Sequence, residues 1–84
     1  MEYTIDCSAI HSTMQMHRIL KKTLSFPDWY GSNLDALYDC LTELPQQTHL
    51  ILLHWRSESR FLARFHSVFA DAQQDHPLFT FSLQ

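Results

Sequence analysis

The sequence predicts a small α/β protein in which a three-stranded parallel sheet is packed with helices. Apolar residues recur at helical spacing in three segments, and strand-like runs give the order strand, helix, helix, strand, helix, strand. Strands that are separated by helices favour parallel pairing through right-handed crossovers. No repeat or change of composition divides the chain, so we expect a single domain over residues 1–84.

The first strand and the first helix are marked by two different patterns. Residues 2 to 7 alternate between polar and apolar, which favours a strand that includes Cys7. Ser12 or Thr13 can cap a helix that runs to about Leu24, because both side chains can accept a hydrogen bond from the first turn. A proline shortly afterwards ends this helix.

Residues 26 to 41 form the segment around which we expect the rest of the chain to be organised. Gly31, the only glycine, suits a chain reversal at positive φ. Asn33, or Ser32 just before it, can cap a second helix. That helix begins at Leu34, and we expect it to end near Leu44. Its predicted apolar stripe consists of Leu34, Leu37, Cys40, Leu41 and Leu44.

The second half of the chain predicts two strands around one helix. Residues 49 to 55 are apolar almost throughout, which favours a strand that is buried on both faces at the centre of the sheet. A third helix is expected from about Ser59 to Gln74, and a last strand over residues 78 to 83. The phenylalanines of the third helix have helical spacing, which is more typical of a core than of a partner-binding stripe.

Composition excludes several classes of function. A net charge of −3 argues against a nucleic-acid binder, and no apolar run approaches the roughly 20 residues that a membrane helix needs. No basic region followed by an apolar region marks a signal peptide, so we expect a cytoplasmic protein. Cys7 and Cys40 are then expected to be reduced and packed, although a disulfide between them is the alternative.

No catalytic or cofactor motif is visible. The six histidines show no metal-ligand spacing, so solvated or locally bonded side chains are the better interpretation. A single glycine excludes the glycine-rich nucleotide and hydrolase motifs. Asp35 and Asp39 could form an acid–base pair only in a pocket, and an outward helix face is not one. We therefore expect no enzyme activity, no cofactor and no metal.

The second helix carries an unusual polar face. Asp35 and Asp39 are four residues apart, so they are neighbours that repel, and Asp39 lies where the helix dipole disfavours an anion. No Lys or Arg occurs between Lys22 and Arg56. The face is either an ordinary solvated acidic surface or a surface for a positively charged partner. In the second case, flat apolar contact would come from Trp29, Tyr30 and Tyr38.

Residues 20 to 42 carry a specific resemblance to a known family. The matching runs are Lys21-Lys22-x-Leu24 and Pro27-Asp28-Trp29-Tyr30-Gly31-Ser32-Asn33-Leu34-Asp35-Ala36-Leu37-Tyr38-Asp39-Cys40-Leu41-Thr42. A thinner likeness continues through Trp55-Arg56, Val68-Phe69 and Thr80. On these residues the chain resembles the barstar family, the intracellular inhibitors of the secreted ribonuclease barnase. The family fold, a small three-stranded parallel sheet packed with helices, agrees with the predicted order.

The resemblance implies inhibition by occlusion of a basic barnase-type ribonuclease or a related toxin. Asp39 would take the place of an RNA phosphate, and Asp35 would meet a second part of the same basic cleft. Asp71 would add an acidic contact from the last helix, which Asp75 could reinforce. The implied partner-binding residues are Trp29, Tyr30, Gly31, Asn33, Leu34, Asp35, Tyr38, Asp39, Thr42 and Asp71.

Three departures from the family pattern leave the partner open. Tyr38 stands where the best-known member of the family has a tryptophan, and Leu44-Pro45 replaces an aromatic position at the end of the helix. The segment after Trp55 is shorter, so we expect one short helix of the family to be reduced or missing. The alternative function is an interaction module of the same fold, such as an immunity protein for a different toxin or a regulatory subunit. In either case we expect a monomer in the free state.

Overall fold

A computed structural model describes residues 1–84 as three strands and three α-helices in the predicted order. A short 3₁₀ helix, Cys7–Ala9, follows the first strand. The α-helices and strands are β1 Glu2–Asp6, α1 Thr13–Leu24, α2 Leu34–Thr42, β2 Thr48–Leu53, α3 Arg60–Asp75 and β3 Phe79–Leu83.

The sheet is parallel throughout, and β2 is its central strand, as predicted. The register pairs Ile5 with Leu52 and Leu50 with Phe81. The expectation that β2 is buried on both faces was wrong, because its side chains alternate between buried and half-buried. Right-handed crossovers that advance in one direction place all helices on the same face of the sheet. The other face, which includes Ile51, therefore keeps partial exposure.

Each α-helix begins at a capping residue, and for α1 and α2 it is one that the sequence named. The hydroxyl oxygen of Ser12 accepts from the backbone N–H of Gln15 at 3.2 Å, and Ser59 caps α3 in the same way. Asn33 caps α2. The second helix ends at Thr42, two residues earlier than expected, because Pro45 disfavours helical backbone angles in the residue before it.

The first strand ends one residue before the predicted boundary. Cys7 begins the 3₁₀ helix instead of ending β1, because the carboxylate of Asp6 accepts from the Ser8 backbone N–H at 2.9 Å and turns the chain. The guanidinium of Arg56 donates to the carbonyl oxygens of Cys7 and Ile10, which holds this turn against the end of β2. Both cysteines are free thiols in the core, as predicted.

The core lies between the sheet and the three helices. It contains 18 buried apolar residues, including Phe65, Phe69 and Phe79. The phenylalanines of α3 are thus core residues, as predicted, with Phe61 half-buried at the margin. The loop between β2 and α3 contains no helix, in agreement with the shortened segment after Trp55. None of the helices has the length and apolar character that a bilayer crossing requires.

Candidate partner-binding surface

A tight turn between α1 and α2 presents the start of α2 at the surface. The backbone N–H of Tyr30 donates to the carbonyl oxygen of Pro27 at 2.9 Å, which closes the turn. Asn33 then accepts from the N–H of Ala36 at 2.8 Å through its side-chain oxygen. The left-handed residue of this turn is Ser32, with φ of 53°, and not Gly31 as the sequence suggested.

Gly31 serves the turn by its small size. A β-carbon at this position would lie 3.0 Å from the side-chain nitrogen of Asn33, which is tighter than ordinary contact. The Asn33 side chain has little freedom to move away, because its oxygen caps α2. The glycine therefore leaves room for the cap that starts the candidate helix.

Asn33→Ala should destabilise the protein by about 1 kcal/mol, because the first turn of α2 loses its side-chain acceptor. Urea unfolding followed by far-UV circular dichroism would measure this change. Asn33→Ser is the matched control, since serine retains a capping oxygen and should lose much less. Equal stability of the alanine variant and the wild-type protein would contradict the capping role.

Two adjacent aromatic residues of the turn point in opposite directions. Trp29 is 67% exposed, whereas Tyr30 is only 5% exposed. The sequence grouped both as partner contacts, and the structure buries the Tyr30 side chain in the free protein. Its ring packs against Phe26, with ring centroids 4.9 Å apart, and so supports the turn from within.

A buried hydrogen bond joins this turn to α1. The hydroxyl of Tyr30 lies 2.5 Å from Nδ1 of His17, whose side chain is 1% exposed. Burial raises the pKa of Tyr30 and lowers the pKa of His17, so both groups are neutral at pH 7. His17 was expected to be solvated or locally bonded; it is bonded, but inside the core.

Stability should fall as the pH drops below about 6.5, because burial lowers the pKa of His17 in the folded protein, so that the unfolded chain takes up a proton at a higher pH. Between pH 7.5 and 5.5 the loss from this residue is at most about 1.4 kcal/mol. Urea unfolding at both pH values measures it. His17→Gln should flatten the slope, whereas the exposed control His11→Gln should not. An unchanged slope in His17→Gln would contradict this account.

The outward side of α2 is acidic and unpaired. Asp35 and Asp39 are both exposed. The only ion pair in the structure joins Asp6 to His54 at 2.8 Å, so neither carboxylate of α2 has a cationic neighbour within 4.0 Å. Leu34 and Thr42 complete this side of the helix and are half-buried. The inner side of α2 thus packs in the core, and its outer side presents the two free carboxylates to solvent.

The last helix, α3, contributes two further carboxylates beside α2. Asp71 and Asp75 are exposed on α3. The hydroxyl of Tyr38 donates to Oδ2 of Asp75 and so bridges α2 and α3. This hydrogen bond, with burial and the charges of Asp75, Asp71 and Asp39, raises the pKa of Tyr38 above its ordinary value. Sequence analysis missed the bridge, since no local pattern connects residues 37 positions apart.

Two carboxylates of this surface lie where the helix dipoles disfavour them, whereas Asp35 lies in the first turn of α2, where the dipole favours an anion. Asp39 is in the last turn of α2 and Asp75 in the last turn of α3, and neither turn contains a basic residue. Arg60 and Arg64 lie instead in the first half of α3. A surface selected for helix stability would show the reverse arrangement. The arrangement favours the interpretation of a surface for a cationic partner.

An open groove lies on the other flank of α2. Its volume is about 360 Å³, and its lining includes Trp29, Phe26, Cys40, Glu43 and Leu44. No three His, Cys, Asp or Glu side chains are grouped in a way that could hold a metal ion. The candidate surface therefore consists of a central acidic row, flanked by Trp29 with its groove on one side and by the α3 carboxylates on the other.

Comparison with known proteins assigns the family. The chain matches the family model described as Barstar (barnase inhibitor) over residues 1–83. It is 45% identical over 53 residues to a Bacillus subtilis (strain 168) protein named "Putative ribonuclease inhibitor YrdF", a match that covers 60% of this chain and 56% of that protein. The family description names an inhibitor, in agreement with the prediction that the chain is not an enzyme. Because the family model matches nearly the whole chain, this protein belongs to the barstar family.

Proposed function

We propose that this protein inhibits a basic ribonuclease of the barnase type by inserting α2 and the preceding turn into the active site of the enzyme. The observation that carries the proposal is the exposed and unpaired row of Asp35 and Asp39 on α2, together with the exposed ring of Trp29 in the turn before that helix. The family match and the name of the Bacillus subtilis relative support the same class of partner.

The charge of the row explains why a ribonuclease is a suitable partner. An enzyme that cleaves RNA needs cationic side chains to hold phosphate groups, and the same groups bind carboxylates through charge-assisted hydrogen bonds. Asp39 would occupy a phosphate position in that cleft, and Asp35 a second cationic position. Because both carboxylates are free in the unbound protein, no intramolecular ion pair has to break on binding.

The remaining residues of the surface have two kinds of task. Trp29, Leu34, Tyr38 and Thr42 would supply apolar and hydroxyl contact, and Asp71 a further carboxylate. Gly31, Asn33 and Tyr30 hold the turn in shape, the last from inside the core. Inhibition then needs no cofactor, no bound nucleic acid and no membrane. We further propose a free monomer that acts in the cytoplasm, where the nuclease would otherwise degrade cellular RNA.

Titration of barnase with the purified protein, followed through cleavage of a fluorogenic RNA, tests the proposal. We expect a loss of activity that is complete near one equivalent and that weakens as salt is added, because exposed charges are screened. Full nuclease activity in the presence of a large excess of the protein would contradict a barnase-type target.

Affinity capture from the source organism separates this function from the alternative interaction module. Wild-type protein and the Asp35→Ala/Asp39→Ala variant would serve as paired baits. A basic protein that only the wild type captures, and that cleaves RNA after release, supports the proposal. A captured partner without RNA cleavage would instead indicate an immunity or regulatory module of the same fold.

A further inference from the structure

We infer that Asp75 is a positioning residue, whose hydrogen bond to the Tyr38 hydroxyl fixes the Tyr38 side chain and α2 in the orientation that the partner meets. The inference rests on the proposed function and adds a determinant that the acidic row alone does not contain. It also separates Asp75 from Asp71, the neighbouring carboxylate on the same helix.

The geometry gives the two residues complementary tasks. Tyr38 is half-buried on α2, between the acidic row and α3. Its hydroxyl is the donor, and Oδ2 of Asp75, in the last residue of α3, is the acceptor. At the backbone end, the hydroxyl of Thr42 donates to the carbonyl oxygen of Tyr38 at 3.0 Å. The residue is therefore held at both its backbone and its hydroxyl, which limits the side-chain freedom that binding would otherwise remove.

The two carboxylates of α3 differ in what they contact. Asp71 is one helical turn before Asp75 and makes no side-chain hydrogen bond or ion pair. The Asp75 carboxylate accepts the hydrogen bond from the Tyr38 hydroxyl. This hydrogen bond raises the pKa of the phenol and keeps it a neutral donor. Asp71 is thus available to a cation of the partner, while Asp75 acts through the tyrosine.

A comparison of alanine and asparagine variants separates positioning from direct charge contact. Asparagine at position 75 keeps an acceptor oxygen for the Tyr38 hydroxyl but has no charge, whereas alanine removes both. For a positioning residue, Asp75→Ala should raise the dissociation rate from barnase about threefold to tenfold, and Asp75→Asn by less than about twofold. The matched controls are Asp71→Ala and Asp71→Asn, which should weaken binding equally, because both remove the charge.

A double-mutant cycle with Tyr38→Phe adds a second criterion. Phenylalanine keeps the ring and loses the donor, so Tyr38→Phe should match Asp75→Ala, and the double variant should be no weaker than either single variant. The inference would be overturned if the changes in dissociation rate of the two single variants multiplied in the double variant. It would also be overturned if Asp75→Ala and Asp75→Asn weakened binding equally. Either result would assign Asp75 to direct contact with the partner.

A measurement on the free protein keeps this test distinct from that of the proposed function. The ring carbon bonded to the Tyr38 hydroxyl reports the phenol pKa by NMR, and that pKa should move toward its ordinary value in Asp75→Ala. If the Tyr38 pKa changes as expected in Asp75→Ala but the wild-type protein does not bind barnase, both the proposed target and the positioning role are rejected. If the wild-type protein binds barnase but the Tyr38 pKa is unchanged in Asp75→Ala, only the hydrogen bond between Tyr38 and Asp75 is rejected.

Discussion

Asp39→Ala should weaken the complex with a barnase-type ribonuclease by more than about 2 kcal/mol, or roughly thirtyfold in the dissociation constant. Asp39 is exposed and has no cation beside it. Removal of its carboxylate would leave buried cationic groups of the enzyme without a partner, which is why the loss should be large.

The inhibition constant, measured by competition in an RNA cleavage assay, checks this result. Glu58→Ala is the control, because it removes the same charge from an exposed residue in the loop before α3, outside the candidate surface. We expect that control to change the constant by less than about twofold. A similarly small effect of Asp39→Ala would contradict its role as the substitute for an RNA phosphate.

Tyr30→Ala should lower the free energy of unfolding by about 3–5 kcal/mol, because it empties a core position and leaves Nδ1 of His17 without its partner. The adjacent Trp29→Ala should change the stability by no more than about 0.5 kcal/mol, since its ring is 67% exposed. Chemical unfolding of both variants measures the contrast. In the inhibition assay the ranking should be the opposite: Trp29→Ala should weaken inhibition more than any Tyr30 variant that remains folded.

Tyr30→Phe keeps this prediction testable if the alanine variant does not fold. It retains the ring and removes only the hydroxyl, so the loss of stability should be about 1–3 kcal/mol, with binding nearly unchanged. Stability equal to the wild-type value in both Tyr30 variants would contradict the placement of this side chain in the core.

The architecture could be predicted because local signals agreed with one another. Ser12, Asn33 and Ser59 are short polar side chains before apolar periodic runs, and each proved to be a helix cap. The apolar run over residues 49 to 55 identified the central strand, although it overstated burial. That run could not show that all helices lie on one face, because this property follows from the crossovers and not from the strand itself.

The details of the candidate surface were harder to predict, because they depend on tertiary contacts. The turn has no periodicity, so the sequence could not show that Trp29 faces outward and Tyr30 inward. A left-handed residue was predicted at Gly31, since glycine adopts positive φ most readily, yet the structure places it at Ser32. The bond between Tyr38 and Asp75 joins two separate helices, and only the packed structure reveals it.

The position of acidic residues at the carboxyl ends of α2 and α3 has a consequence for the response to salt. In the free protein, ions screen the repulsion between these carboxylates and the negative ends of the helix dipoles, so added salt removes an unfavourable contribution to folding at these two positions. In the complex, the same ions compete with the attraction between the carboxylates and the cationic partner. At these two residues, a rise in ionic strength would thus shift the folding equilibrium and the proposed binding equilibrium in opposite directions, and the conditions that relieve the repulsion in the folded protein are also those in which the proposed complex is weakest.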